Sequence, residues 1–247
     1  MDKVRIIAIP FAGGNRYSFG DIEKHIAKKT EWITLELPGR GGRFKENLLT
    51  SVEDMVDDLF QKIIPHVLKE GEYVIYGHSL GTILGYELTR RIRNKGLKQP
   101  SCLFFTGRGA PGFERCRKKR SHLPKDEFWE EIDKIGGLPS DFFEHKELLD
   151  LYYPIMKSDF KAVENYKFQE MEKPFSMPIH ICMGEDEIGE EDDDKTPLPS
   201  MKAWANESTA TCTFKLLEGD HFFILNHSKT IADKIYNAAI SGDVVAH

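Results

Sequence analysis

Short runs of apolar residues alternate along the chain with longer stretches whose apolar positions recur every three or four residues. The short runs fall at residues 4–9, 32–37, 73–76, 102–106, 179–183 and 212–217. Several are apolar throughout and rich in β-branched or aromatic residues, as strands covered on both faces should be. The helical patterns fall at 19–28, 52–68, 82–94, 201–206 and 229–238. Gly96 stands where a C-terminal helix cap belongs, just after Arg93, Asn94 and Lys95. Alternating strands and helices predict an α/β class: a mostly parallel sheet flanked by helices.

The alternation breaks between residues 115 and 168. This stretch has no strand signal, but it has helical patterns at 125–135, 141–151 and 155–168, the first two separated by Gly136, Gly137 and Pro139. A helical insertion between two strands of one sheet reads as a lid over a site, because function gathers on excursions from a rigid scaffold. The organisation expected is therefore one domain over residues 1–247 with a lid at 115–168.

Composition narrows the class. The 247 residues carry 34 basic and 40 acidic side chains, a formal charge of −6, which argues against general nucleic-acid binding. No apolar stretch approaches the roughly 18 residues of a membrane span, and the N-terminus lacks a cleavage-site pattern, so a cytoplasmic protein is expected. Cys102, Cys116, Cys182 and Cys212 are far apart without paired spacing, which speaks against a zinc site or a disulfide framework. No metal or organic cofactor is expected. Nothing specifies an oligomer, and a monomer is the expectation.

The chemistry gathers at Gly77-His78-Ser79-Leu80-Gly81, a G-x-S-x-G pattern between a strand and a helix. In that setting the serine occupies a turn so sharp that residues two positions either side must be glycine, and its hydroxyl is lifted clear of the sheet at a helix N-terminus. Ser79 is the candidate nucleophile. The base should follow a late strand, and His221 does, after Glu218-Gly219-Asp220. His25, His66 and His145 lie in helical patterns and His227 six residues on, where a surface position is the simpler account. The orienting carboxylate should lie in Gly184-Glu185-Asp186-Glu187, with Glu187 and Asp186 both candidates and Asp192 a more distant one. The rest of the acidic run at 190–194 reads as a solvated loop, without the spacing of a calcium-binding hand. An oxyanion hole needs two backbone N–H groups: that of Leu80, and one from Pro10-Phe11-Ala12-Gly13-Gly14, for which Ala12 is the candidate. A phosphate-binding reading of that loop lacks both G-x-G-x-x-G spacing and a P-loop lysine.

With these residues in view, the chain resembles the type II thioesterases that accompany polyketide and nonribosomal peptide synthetases. The resemblance rests on Pro10 to Gly14, on Leu37-Pro38-Gly39-Arg40 with Arg43 and Glu46, and on the serine motif. It continues through Gly107-Arg108-Gly109-Ala110-Pro111, His122-Leu123-Pro124, Gly136-Gly137-Leu138-Pro139, Ser158-Asp159-Phe160 and Gly219-Asp220-His221-Phe222-Phe223. It implies an α/β-hydrolase fold and a stand-alone enzyme that clears stalled acyl groups from the phosphopantetheine arm of acyl or peptidyl carrier proteins. The pantetheine then arrives with the substrate. Family members often carry aspartate where this chain has Glu187. By the same resemblance the lid shapes the acyl chamber, and the basic run Arg115-Cys116-Arg117-Lys118-Lys119-Arg120 either steers an acidic carrier protein or is a solvated turn. Alternatives of the same fold are a chain-terminating medium-chain acyl-carrier thioesterase and a general carboxylesterase. From another class, a non-catalytic carrier-binding protein would keep the fold with an inactive site.

Overall fold

The structure is a computed structural model, and it describes residues 3–26, 28–113, 118–190 and 195–240. Six strands form one sheet: β1 (Val4–Ile9), β2 (Thr30–Thr34), β3 (Tyr73–His78), β4 (Cys102–Thr106), β5 (Ile179–Gly184) and β6 (Cys212–Leu217). Their order is β2-β1-β3-β4-β5-β6, and every pairing is parallel. Strand direction reverses its march between β1 and β3, and the crevice at the carboxyl ends of those two strands is where ligands bind in such sheets.

Side chains alternate across each strand, and both faces are covered. Ile7, Ile9, Ile75, Leu103, Phe105 and Ile181 face the layer containing α2 (Val52–Val67) and α3 (Leu80–Asn94). Ile6, Ala8, Val74, Tyr76, Phe104 and Cys182 face the layer of α1 (Gly20–Ile26) and α8 (Ser228–Ile240). Burial of both sets explains why these strands read as continuously apolar. Ser51 caps α2 by accepting from the Asp54 N–H at 3.1 Å, and Gly96 adopts φ +65° at the end of α3.

Among the boundaries that differ from those expected, two have a local cause. β2 pairs from Thr30, not Trp32, because its register with β1 runs from Val4↔Thr30 to Ala8↔Thr34. The chain after Ile9 is Pro10, which has no N–H to extend the ladder, so Leu35 and Leu37 pack into the core beyond the strand. The helix expected at 201–206 begins earlier, as α6 (Leu198–Lys202), and tightens into a 3₁₀ turn at Ala203–Glu207. Pro197 and Pro199 set the helical φ at its start.

The insertion between β4 and β5 contains α4 (Lys125–Ile135), a 3₁₀ turn (Ser140–Glu144) and α5 (Lys146–Asn165). The two helices expected at 141–151 and 155–168 are thus a single helix with Pro154 inside it. Proline removes the bond to the carbonyl four residues back, that of Asp150, but Asp150 is exposed and water can replace it. The insertion has its own apolar cluster, Phe128, Trp129, Ile132, Phe142 and Met156. A short helix, α7 (Phe223–Asn226), precedes α8. No described helix is long and apolar enough to cross a membrane. Cys102, Cys182 and Cys212 are free thiols whose burial raises them to about 12, about 11 and about 12; Cys116 lies outside the described residues.

Trp204 ties the loop after β4 to the sheet. Its ring packs on Phe105 and Tyr86, at 5.2 and 5.7 Å between centroids, and its Nε1–H donates to the Arg108 carbonyl at 3.0 Å. Trp204→Ala should therefore lower the unfolding free energy by about 3–5 kcal/mol in urea denaturation, and Trp204→Phe by clearly less. Equal losses would mean that the ring contributes little beyond its hydrogen bond.

Candidate active site

Ser79 lies between β3 and α3 at φ +55°, ψ −111°, the one non-glycine with positive φ among the described residues. That conformation is strained for a residue with a side chain, and the neighbouring glycines make it possible. A Cβ on Gly77 would sit 2.3 Å from the Gly81 carbonyl oxygen, and one on Gly81 would sit 1.9 Å from that of Ile9. Ser79 N–H donates to the Thr106 carbonyl at 2.9 Å, closing the turn against β4.

The histidine and its acid come from the loops after β6 and β5. His221 Nδ1 lies 2.6 Å from Glu187 Oε2, and Glu187 Oε1 accepts from the Gly184 N–H at 2.9 Å. Both carboxylate oxygens are thus engaged. The Glu187 carbonyl accepts from Thr196 N–H at 2.7 Å, so backbone and side chain are both held. The two loops touch directly: Asp186 N–H donates to the Gly219 carbonyl at 3.0 Å, and a Cβ on Gly184 would sit 2.3 Å from the Asp220 oxygen. Of the candidate acids, Glu187 is buried against His221, whereas the Asp186 side chain is exposed. Asp192 lies outside the described residues, as do Glu191, Asp193 and Asp194. His227 turns away, its Nε2–H donating to the Glu218 carbonyl at 2.9 Å.

Ser79 and His221 share the walls of two cavities. One is apolar, lined by Phe11, Trp129, Leu138, Phe142, Met156 and Phe160. The other contains Ala12 and Leu80 and opens among Lys118, Arg120, Lys134 and Lys195. The apolar space and the polar mouth therefore meet at the serine. Lys118 and Lys134 pair with Glu131, each at 2.6 Å, and pull its carboxyl down to about 2. Part of the basic run is thus neutralised locally; Arg115, Cys116 and Arg117 lie outside the described residues.

Two features were not anticipated from sequence. The first is His78, fully buried beneath His221 with ring centroids 4.9 Å apart and Nδ1 2.9 Å from Thr106 Oγ1. Burial, reinforced by His221 alongside, holds the His78 imidazole well below its ordinary value, so a neutral ring supports His221. The second is an ion pair between Arg40 and Asp159, buried beside the Phe11–Gly14 turn. Both residues stand in the motifs noted above, but 119 positions separate them and no periodicity connects them.

The Thioesterase domain family model matches residues 4–238, and the chain belongs to that family. It is 30% identical over 223 residues to the gramicidin S biosynthesis protein GrsT of Aneurinibacillus migulanus, covering 90% of this chain and 83% of that one. The crystal structure of ClbQ, from the colibactin NRPS/PKS pathway, superimposes with a TM-score of 0.90 at 29% identity, covering 99% of this chain and all of that one. The fold is accordingly that of the α/β-hydrolase thioesterases, and the chain is a hydrolase with a serine site of the kind this family carries. A further relative, LgrE of Brevibacillus parabrevis, 29% identical over 90% of this chain and 82% of its own, is named a linear gramicidin dehydrogenase. Gly107-Arg108-Gly109-Ala110-Pro111-Gly112 does match the dinucleotide glycine pattern after β4. Its glycines serve packing instead: Cβ atoms on Gly107 and Gly109 would sit 2.5 Å from His78 and 2.1 Å from Ser200. The segment then enters a turn, and the next described helix begins only at Lys125, whereas the dinucleotide fingerprint opens a helix directly.

Because folded His78 resists protonation while the unfolded chain accepts a proton below about pH 6.5, stability should fall as pH drops below that value. His66 and His180 are shifted in the same direction, so the readout is a difference between proteins. His78→Asn should reduce the slope of unfolding free energy against pH, between pH 6 and 5, by up to about 1.4 kcal/mol per unit, the limit of one proton. An unchanged slope in urea titrations would show that His78 protonates within the fold.

Proposed function

We propose that this protein is a stand-alone editing thioesterase that hydrolyses stalled acyl groups from the phosphopantetheine arm of carrier proteins. The observation that carries the reading is the meeting, at Ser79 and His221, of an apolar chamber with a polar mouth. An acyl chain suits the first and the pantetheine amides suit the second, so the thioester carbonyl falls at the hydroxyl between them. The names of GrsT and ClbQ, both tied to peptide or polyketide assembly, support a synthase as the source of substrate.

The chemistry runs in two steps. His221 takes the Ser79 proton as Oγ attacks the thioester carbon, and Glu187, bonded to Nδ1, stabilises the imidazolium. The N–H groups of Ala12 and Leu80 hold the oxyanion. Collapse of the tetrahedral intermediate breaks the C–S bond, and His221 returns the proton to the departing thiolate. Water then attacks the acyl-serine, giving its proton to His221. The second collapse releases the carboxylic acid and restores the hydroxyl. No step of this chemistry calls on a metal or organic cofactor. The insertion acts as the lid of the apolar chamber, since Trp129, Phe142, Met156 and Phe160 all belong to it.

The deciding assay is hydrolysis of an acyl-phosphopantetheinyl carrier protein, with a simple ester as control. Rapid carrier release, weak ester turnover and silence in Ser79→Ala are expected. Faster ester cleavage would sink the editing role, a sharp preference for one medium acyl length would move it to chain termination, and no turnover would return the non-catalytic reading. In the same assay Glu187→Gln should lower kcat by a factor on the order of 10²–10⁴, and Asp186→Asn by no more than about twofold. The reverse ranking would reassign the acid.

Lys118 and Lys119, described at the end of the basic run, provide a separate check on carrier docking. Because Lys118 borders the mouth and pairs with Glu131, the exposed Lys119 is the one to reverse: Lys119→Glu should reduce kcat/KM for the carrier substrate severalfold at low salt while leaving a small pantetheine thioester within about twofold. Equal loss on both substrates would remove docking from the account.

A further inference from the structure

Gly13, next to the proposed oxyanion donor Ala12, is gripped from the insertion. Its N–H donates to Asp159 Oδ2 at 2.7 Å. The same oxygen accepts from Arg40 Nη1 at 2.6 Å, and Oδ1 accepts from Arg40 Nη2 at 2.8 Å. Asp159 is fully buried and Arg40 is 3% exposed. Three segments distant in sequence therefore converge on one carboxylate: the loop after β1, the loop after β2, and helix α5.

The turn itself explains what the carboxylate controls. Gly14 N–H donates to the Phe11 carbonyl at 2.9 Å, and Gly13 has φ +76° in the third position, the pattern of a type II turn. Type I and type II turns differ by a flip of the central peptide, here Ala12–Gly13. In the observed orientation its N–H meets the carboxylate; flipped, the Ala12 carbonyl would face that negative charge. Met156, one turn before Asp159 on α5, packs on the same glycine from the side, since a Cβ on Gly13 would sit 2.2 Å from its sulfur. A buried ion pair is a poor source of net stability, because the desolvation of two charges offsets most of their attraction. What such a pair supplies here is direction: Arg40 aims the carboxylate, and the carboxylate fixes the peptide.

We propose that Asp159, oriented by Arg40, is a positioning residue that sets the backbone of the oxyanion loop and couples it to helix α5. The proposal rests on the assignment of Ala12 as an oxyanion donor. Because Tyr152, Met156 and Phe160 of the same helix line the apolar chamber, occupancy of that chamber is transmitted to the loop through α5.

The test compares wild type with Asp159→Asn and Arg40→Met on a small acyl-pantetheine thioester, with folding at the assay temperature verified by circular dichroism. Both variants should lose about tenfold to a hundredfold in kcat with KM within about threefold, less than the removal of a whole oxyanion donor. Affinity for a straight-chain alkylboronic acid, whose tetrahedral adduct with a serine places an oxygen in the hole, should fall in parallel. Folded variants with kcat and boronate affinity within about twofold of wild type would overturn the proposal. If neither variant folds, hydrogen exchange in the unaltered protein decides it. A Gly13 amide as protected as the sheet core, and slowed further by the boronate, supports the clamp; exchange at the rate of an open loop overturns it. Wild type that neither hydrolyses the thioester nor binds the boronate would instead overturn the assignment of the site itself.

Discussion

Every feature of the site depends on how closely the turn at Ser79 approaches the end of β1. With Gly81 pressed on the Ile9 carbonyl and Gly77 pressed on Gly81, the backbone passes from strand to helix within a single residue, and that residue takes φ +55°. The strain of that conformation is offset by the surrounding sheet, where β3 is fully buried and hydrogen-bonded on both sides. The result is a hydroxyl at the N-terminus of α3, at the point where the sheet's winding reverses. The loop after β1 is placed alongside by the same pairing, so the proposed nucleophile and the proposed oxyanion loop share one structural origin.

The other half of the site is built by contact between loops. The loops after β5 and β6 are tied to each other by the Asp186–Gly219 hydrogen bond and by the close packing of Gly184 on Asp220. Glu187 reaches His221 from a short 3₁₀ turn that its own carboxylate closes through Gly184 N–H. From this turn the glutamate side chain is long enough to bring Oε2 within 2.6 Å of the His221 Nδ1. Beneath them the neutral ring of His78 fills the space under the imidazole without adding a like charge.

The insertion closes the remaining sides. Its aromatic cluster forms one wall of the apolar chamber, Gly137 lies so close to Phe222 that a Cβ would sit 2.2 Å from its ring, and Lys125 of α4 pairs with Asp150 of α5. The insertion thus leans on the His221 loop at one end and on the loop after β1 at the other. A rigid sheet fixes the nucleophile, while a separately packed helical layer determines what reaches it.

Local chemistry made much of this readable from sequence. Strands buried on both faces read as continuous apolar runs, so β1 and β4 to β6 could be placed to within a residue. The serine turn was readable because only glycine fits beside it, and His221 because it follows the last strand. Where two signals competed locally, the sequence left the matter open. Glu187 and Asp186 are adjacent carboxylates of similar chemistry, and only the packing of Gly184 on the His221 loop turns one inward and leaves the other in solvent. The patterns at 141–151 and 155–168 read as two helices, yet α5 runs through Pro154 between them, where the freed carbonyl meets water. His78, Arg40 and Asp159 all stand in motifs, but nothing in the sequence paired His78 with His221 or Arg40 with Asp159 and Gly13. Each pairing joins residues brought together only by strand order and by the docking of α5, and a contact across more than a hundred residues is a property of the folded sheet.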